Sequence, residues 1–327
     1  MASFRQHGNG WQGRIRRRGY PDITKTFETK ADAERWARSL ESEIDKGQFV
    51  NVNEAQRTTL GDLIARYLTE VTPSMKGAAE DTIRLKAIMR KSIARWSMTN
   101  LSAARIATYR DERLKEVSAG TVIRELAYLS AIINHARREW GINVPNPVQM
   151  VRKPQSPQAR SRVLTDEEVS KLLQALEPTG RRSHWIKPAV QLALATAMRR
   201  GELLSLRWEH IDLQGRTAFL PDTKNGDART VPLSTVAVKV LAGIPRHISG
   251  VVLPVKFFTL DAAFKRGVRR AGLDRVRFHD LRRTAITRMA EKLPNVIELA
   301  MVSGHKSLMV LKRYYRPTAS ELAQKLG

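Results

Sequence analysis

The sequence predicts a multidomain chain that is mainly α with small β elements: a short sheet with one helix, then a helical domain, then a larger last domain. Three observations carry that expectation. The chain has 327 residues, a length that suits two or three domains better than one. Apolar residues recur at helical spacing along much of it, while alternation is clearest in one short N-terminal stretch. Finally, Pro145, Pro147, Pro154 and Pro157 crowd into residues 141–162. Proline removes backbone donors and biases its neighbours to extended conformations, so this segment marks the clearest domain boundary. Hydrophobic residues make up 42%, enough to fill real cores.

Charge narrows the partner. The formal net charge is +25, distributed as +3 over residues 1–57, +7 over 58–155 and +15 over 156–327. No single tail carries it, so a long contact surface for a polyanion is expected. Basic faces gain free energy by displacing counterions from phosphates, which points to nucleic acid. There is no cysteine. That excludes disulfides, thiolate metal sites and a cysteine nucleophile, and fits a reducing cytoplasm. The N-terminus, MASFRQHGNGWQGR, has no apolar signal core. The most apolar stretch, Ile186–Met198, is broken by Lys187, Pro188 and Gln191 and is too short to span a bilayer. A cytoplasmic protein with no membrane role is expected.

Taken in order, residues 11–18 read as a strand with Trp11, Gly13 and Ile15 on one face and Arg14, Arg16 and Arg18 on the other. A second strand is expected at Ile23–Phe27. A helix follows from near Thr29, with Asp32 as the acid of a capping box and Ala33, Trp36, Ala37, Leu40 and Ile44 as its buried stripe. The arginine face either binds DNA or is a solvated surface; three arginines projecting together repel unless an anion sits against them. Residues 48–58 are polar and read as a linker. Thr59 to Trp140 reads as helices, with one stripe from Leu60 to Leu68, a second from Ile83 to Trp96, a third helix over 102–115 and a fourth over 121–139. Their Met and aromatic residues sit at core spacing. Lys86, Arg90, Lys91, Arg95, Arg137 and Arg138 either grip phosphates or are solvated. Thr165 to Glu168 opens a capped helix in the last domain.

Three segments of that domain carry chemistry. Ala195 to Trp208 places Arg199 beside Gly201 and Glu202 at a helix start. Phe278 to Thr284 sets His279 and Arg282 three residues apart on one helix face. Gly304 to Tyr315 puts His305 nine residues before Tyr314. The set fits phosphoryl transfer without a metal. Two guanidinium forks hold the non-bridging oxygens of a charged transition state. A tyrosine supplies a covalent nucleophile, and a lysine or histidine serves as general acid. No clustered carboxylates suitable for a magnesium ion stand near these motifs. Between the first two segments, Asn225-Gly226 signals a hairpin with Lys224 at its tip. On residues alone, Lys224 is an ordinary turn lysine.

These motifs resemble those of the tyrosine recombinase (phage integrase) family. Thr196-Ala-Met-Arg-Arg-Gly-Glu202 is similar to the family's first arginine box, which usually has glycine where this chain has Ala197. His279-Asp-Leu-Arg282 matches the H-x-x-R box letter for letter. Gly304-His305 with Tyr314 nine residues on matches the G-H…Y spacing, with Ser303 where leucine is usual. Thr223-Lys-Asn-Gly226 followed by Arg229-Thr-Val-Pro232 resembles the hairpin that holds the family's catalytic lysine. Together, in this order, the four boxes are very specific.

The resemblance implies an arm-type DNA-binding module at 1–50, a helical core-binding domain at 58–155 ending in Ala136…Asn146-Pro147, and an α+β catalytic domain at 160–327. It implies a site-specific recombinase in which Tyr314 attacks the scissile phosphate and forms a 3′-phosphotyrosyl bond. Arg199, Arg282 and His305 would stabilise the transition state and Lys224 would protonate the 5′-oxygen. His279 would assist proton transfer or orient the phosphate, and Glu202 would hold an arginine or a backbone group. Family spacing selects Tyr314 over the adjacent Tyr315. No ATP or metal cofactor is expected. The expected partners are double-stranded attachment sites, a homotetramer on DNA, a host DNA-bending protein and an excision factor. Thr318 to Leu326 reads as a short helix that docks on a neighbouring protomer. A type IB topoisomerase and a DNA-binding regulator with lapsed activity are the alternatives.

Overall fold

The computed structural model describes residues 2–20, 22–45, 52–142, 144–158, 160–180, 183–222, 228–312, 314 and 319–327. The chain divides into two compact units, Met1–Gln158 and Ala159–Gly327.

The first unit opens with three antiparallel strands in the order β1 (Ala2–His7), β2 (Gly10–Ile15) and β3 (Ile23–Phe27). Helix α1 (Lys30–Asp45) buries Ala37, Leu40 and Ile44 against Ile15 and Ile23. Thr29 and Asp32 cap it as the sequence predicts. Gly13 is a glycine for lack of room, since a Cβ there would meet the Trp36 ring at 3.1 Å. Strand β1 was not foreseen. Its sequence, ASFRQH, has too few apolar residues to show a period, and pairing with β2 is what orders it. Strand β2 ends at Ile15, so Arg16 and Arg18 lie beyond it and do not share a strand face with Arg14. That corrects the expected strand over 11–18.

Five helices follow: α2 (Val52–Arg57), α3 (Leu60–Glu70), α4 (Ala78–Met89), α5 (Ala103–Glu116) and α6 (Ala119–Glu139). Leu60, Leu63, Leu85, Ile106, Leu126 and Ile133 meet in one core. Thr59, Ser102 and Ser118 cap α3, α5 and α6 through their hydroxyls. Two expectations fail here. The stretch read as linker contains α2, whose Ala55 is buried in the core. The second stripe is not one helix either: α4 stops at Met89, Ile93 sits in a 3-10 turn, and Ile83 is 71% exposed. Buried Glu125 is satisfied by Tyr109 Oη at 2.7 Å and Arg113 Nη2 at 2.6 Å. Asn146 ties the chain after α6 back to that helix, with Nδ2 donating to Ser130 Oγ and Asn134 Oδ1.

The second unit begins with α7 (Asp166–Ala175), capped by the predicted Thr165–Glu168 box. Next come α8 (Ile186–Thr196), α9 (Arg200–Leu204), and a small antiparallel sheet of β4 (Ile211–Asp212), β5 (Thr217–Leu220) and β6 (Arg229–Pro232). Helices α10 (Thr235–Ala242), α11 (Phe257–Arg270), α12 (Phe278–Lys292), α13 (Val296–Ser303), α14 (Leu308–Leu311) and α15 (Ala319–Leu326) complete it. The main core joins α8, α10, α11 and α12 to the sheet through Leu192, Leu241, Phe264, Leu281 and Val231. A smaller cluster, with Ala197, Ala285, Ile286, Leu299 and Leu311, fixes α13 and α14 on α12. The start of the unit is stitched to α12 by Arg160, which forks onto Asp280, and by Leu164 N, which donates to Thr284 Oγ1 at 3.0 Å. No helix among the described residues is long and apolar enough to cross a membrane.

Candidate active site and DNA-contact residues

Two helix C-termini build the site. Helix α8 ends at Ala197 with φ 53°, and α13 ends at Gly304 with φ 68°. Left-handed end residues close a helix and turn its last carbonyls to new partners, at the negative end of the helix dipole. Here the partners are guanidinium groups. Arg282, from the start of α12, is only 4% exposed. Its Nη1 donates to Ala197 O and its Nη2 to Ser303 O at 2.6 Å. Arg199 follows α8 directly and caps α9; its Nη2 donates to Gly304 O at 3.0 Å and its Nη1 to Glu202 Oε1 at 2.7 Å. An arginine has five N–H donors. Each of these two engages two of them with the groups just named, and holds its fork rigid in doing so.

Glu202 is the hub of the ion pairs. It accepts from Arg199 N at 2.9 Å and from Arg229 Nη2, on β6, at 2.9 Å. Arg229 Nη1 also donates to Val302 O at 2.7 Å. Burial works to raise the Glu202 carboxyl, but the hydrogen bonds from Arg199 and the charges of Arg229 and Arg199 outweigh it, and the group sits below its ordinary value. Gly304 is required twice over. Its φ is positive, and a Cβ there would lie 2.7 Å from Arg229 Nε. Ala197 takes the same backbone conformation with a side chain, at a cost of about 1–2 kcal/mol.

His305 is partly buried, with Nδ1 2.7 Å from Ser303 Oγ. Tyr314 packs on the Ala197 cluster; its ring centroid lies 6.2 Å from that of His305, and Arg283 stands over its face at 5.4 Å. His279 lies at the exposed edge, one residue before buried Asp280. The site is short of negative charge. Burial, then the charge of Arg199, lowers Arg282 to about 10, which leaves it protonated at neutral pH. Burial, then the charges of Arg282, Arg199 and Arg229, lowers His305 to about 4. His279 is lowered as well, by desolvation of the ring and then by Arg282. A pocket that pushes its histidines neutral and crowds its arginines is one that an anion would relieve.

The structure therefore brings Arg199, Arg282, His305 and Tyr314 together, with His279 on the helix that carries Arg282. Lys224 and Tyr315 lie outside the described residues. Strands β5 and β6 pair antiparallel through Leu220 and Arg229, and Lys224 falls between them in sequence. Among the expected DNA contacts, Lys86 and Arg90 are exposed at the end of α4. In the N-terminal module, Arg14 Nη2 and Arg16 Nε both donate to Asp22 Oδ2, at 2.5 and 2.9 Å. The anion facing two of those arginines is thus a residue of the same chain, and their repulsion is no argument for DNA; Arg18 is exposed. Sequence reasoning missed the roles of Arg229 and Ser303. Arg229 was visible inside the hairpin motif, but only folding shows that it shares Glu202 with Arg199. Among the described residues, no group of three or more His, Asp or Glu side chains is placed to hold a metal ion.

The phage integrase family model matches residues 162–321, and the model for its N-terminal domain matches residues 56–154. A putative integrase/recombinase of Haemophilus influenzae is 36% identical, over 98% of this chain and 89% of its own length. The shufflon-specific DNA recombinase of Escherichia coli is 39% identical, over 83% of this chain and 72% of its own. In fold, the chain is similar to the crystal structure of a lambda integrase tetramer bound to a Holliday junction, with TM-score 0.65, 22% identity, and coverage of 93% of this chain and 95% of that one. The chain is thus a tyrosine recombinase. The chain belongs to the phage integrase family, whose members cut and rejoin DNA at specific sites.

Proposed function

We propose that Tyr314 is the nucleophile of this recombinase and that Arg199 and Arg282 are the clamp for the scissile phosphate. The observation that carries the reading is the pair of guanidinium groups held on carbonyls at the ends of α8 and α13, beside His305 and Tyr314. Attack by the Tyr314 oxygen on phosphorus forms a 3′-phosphotyrosyl bond and releases a 5′-hydroxyl. Extra negative charge then develops on the non-bridging oxygens, where preorganised donors lower the barrier most. The covalent bond conserves the phosphodiester energy, so rejoining needs no ATP. The positive charge that a metal would bring is supplied here by arginine, and the reaction is read as metal-free. Lys224, on the hairpin between β5 and β6, is assigned as general acid for the 5′-oxygen, on the strength of its motif. His279 orients the phosphate or passes a proton.

The substrate is read as a pair of attachment sites of a prophage or other mobile element, each held by two protomers, with a tetramer on a Holliday junction as the working assembly. The lambda integrase likeness supports that stoichiometry. Residues 1–50 are read as the module for outlying arm sites, 58–155 as the core-site clamp and 160–327 as the catalytic domain. Arg14, Arg16, Arg18, Lys86 and Arg90 are assigned to phosphate contacts. Helix α15 is read as the segment docked on a neighbouring protomer, and its Leu326 is 88% exposed. A host DNA-bending protein and an excision factor complete the expected assembly, in the cytoplasm.

A suicide duplex, nicked beside the recombination site so that the cleaved fragment diffuses away, tests the reading. Wild type should accumulate a covalent protein–DNA adduct and Tyr314→Phe none. An adduct that persists in Tyr314→Phe would overturn the assignment.

A further inference from the structure

We propose that Arg229 is a positioning residue for the phosphate clamp: it fixes the end of α13 and so aims the forks of Arg282 and Arg199. Three consecutive carbonyls close α13, and each takes a different arginine. Val302 O accepts from Arg229 Nη1 at 2.7 Å, Ser303 O from Arg282 Nη2 at 2.6 Å, and Gly304 O from Arg199 Nη2 at 3.0 Å. Carbonyls in the last turn of a helix have no partner within it, so outside donors decide where that end sits. Apolar packing holds it weakly. Of the 8 residues of α13, Leu299 and Ser303 are the buried ones, while Ile297 and Met301 are 61% and 71% exposed.

Arg229 has the firm support that α13 lacks. It stands on β6, paired with Leu220 of β5, and Val231, two residues on, is fully buried in the main core. Its Nη2 donates to Glu202 Oε2 at 2.9 Å, and the other oxygen of that carboxylate accepts from Arg199. One planar, rigid group thus ties the sheet, α9 and the end of α13 to one another. Its Nε lies against Gly304, where a Cβ would come within 2.7 Å, so the fit is close from that side too. Without this fork Val302 O is released, and the next two carbonyls of the chain shift with it. On the reading of Arg199 and Arg282 as the clamp, on which this rests, both would keep their charge and lose their aim. A misplacement of about 1 Å can cost about 10²-fold in rate.

Sulfur in place of one non-bridging oxygen of the scissile phosphate reads that aim. Sulfur is the weaker acceptor, so donors placed to fit the oxygen slow the sulfur substrate. The full-length protein is given each sulfur diastereomer of the nicked duplex, and the ordinary duplex, in single turnover at saturating DNA. Wild type should cleave at least one diastereomer more slowly than the ordinary duplex. Arg282→Ala should bring that ratio of rates toward unity. Arg229→Met keeps the bulk and drops the donors. It should cleave the ordinary duplex about 10–100-fold more slowly, with unchanged affinity for DNA. Its oxygen-to-sulfur ratio should fall toward that of Arg282→Ala, an effect that loss of folding stability alone would not produce. Arg229→Lys keeps the charge and reaches one of the two acceptors; it should fall between, and it carries the test if Arg229→Met does not fold. A wild-type ratio in the folded Arg229 variants, with the ratio reduced in Arg282→Ala, overturns the proposal. A ratio unchanged in Arg282→Ala, or no sulfur effect in wild type, overturns instead the reading of the clamp.

Discussion

Two sets of arginines in this chain look alike in sequence and differ in what surrounds them. Arg14 and Arg16, in the N-terminal module, point at one exposed carboxylate, Asp22. Arg199 and Arg282, in the second unit, are anchored by backbone carbonyls, and among the described residues only Arg199 of the two touches a carboxylate, Glu202. Carbonyl oxygens hold a guanidinium in place without cancelling its charge. A carboxylate both holds and neutralises. The first arrangement leaves charge for an incoming phosphate; the second must give up an ion pair before it can bind one.

The largest effect is expected from Arg282. Arg282→Ala removes one arm of the proposed phosphate clamp and strands the buried Ala197 and Ser303 carbonyls. Cleavage should fall by at least about 10²–10³-fold, and the unit should lose about 1–3 kcal/mol for each carbonyl left unsatisfied. Arg282→Lys keeps a charge but cannot bridge Ala197 O and Ser303 O together, and should recover little of the rate in the same single-turnover assay.

Glu202 comes next. Glu202→Gln leaves Arg199 and Arg229 without their shared counterion. Breaking a buried pair from one side costs about 3–5 kcal/mol, which denaturant unfolding of the catalytic unit should register. Inorganic sulfate should restore part of that loss by occupying the over-charged pocket; an equal response of wild type and variant to sulfate would count against the charge argument.

Acid should act in the same place. Folded His305 titrates near 4, against 6.5 for an unperturbed ring. Folding therefore favours the neutral ring. Its contribution is complete above pH 6.5 and is lost as pH falls through 4. His305→Gln should flatten that part of the stability profile, read by thermal melts across pH.

Smaller effects are expected in the N-terminal module. Asp22→Asn releases Arg14 and Arg16 from an exposed partner. Folding should hardly change, since exposed pairs contribute little, while affinity for duplex DNA should rise and its salt dependence steepen by up to about 0.9 per phosphate newly contacted. Unchanged DNA binding would mean that neither arginine reaches a phosphate. Smallest of all is Ala197→Gly, which relieves the left-handed strain but loses a buried methyl group. A net change in stability within about 1 kcal/mol is expected.

The comparison also shows what a sequence can reveal. Arg199, His279, Arg282, His305 and Tyr314 could be singled out as candidates because their spacing is a local property of three short segments. The helix caps at Thr29 and Thr165 were legible for the same reason. What stayed hidden depends on where the backbone turns. The Ala197 and Ser303 carbonyls become arginine anchors only when α8 and α13 end side by side, residues far apart in the chain. Asp22 sits in the loop before β3, and nothing in its neighbourhood announces that it faces Arg14 across the sheet. Strand β1 and helix α2 were missed because their short polar sequences carry no period of their own. Ser303 read as a departure from a motif. The structure makes it the partner of His305.

Identifying the amino acid joined to DNA tests the central claim most directly. The adduct trapped on the nicked duplex is digested with protease and nuclease, and the peptide spanning 313–316 is sequenced by tandem mass spectrometry. The account predicts the residual nucleotide phosphate on Tyr314. A phosphate on Tyr315, or on any residue outside this segment, would contradict it.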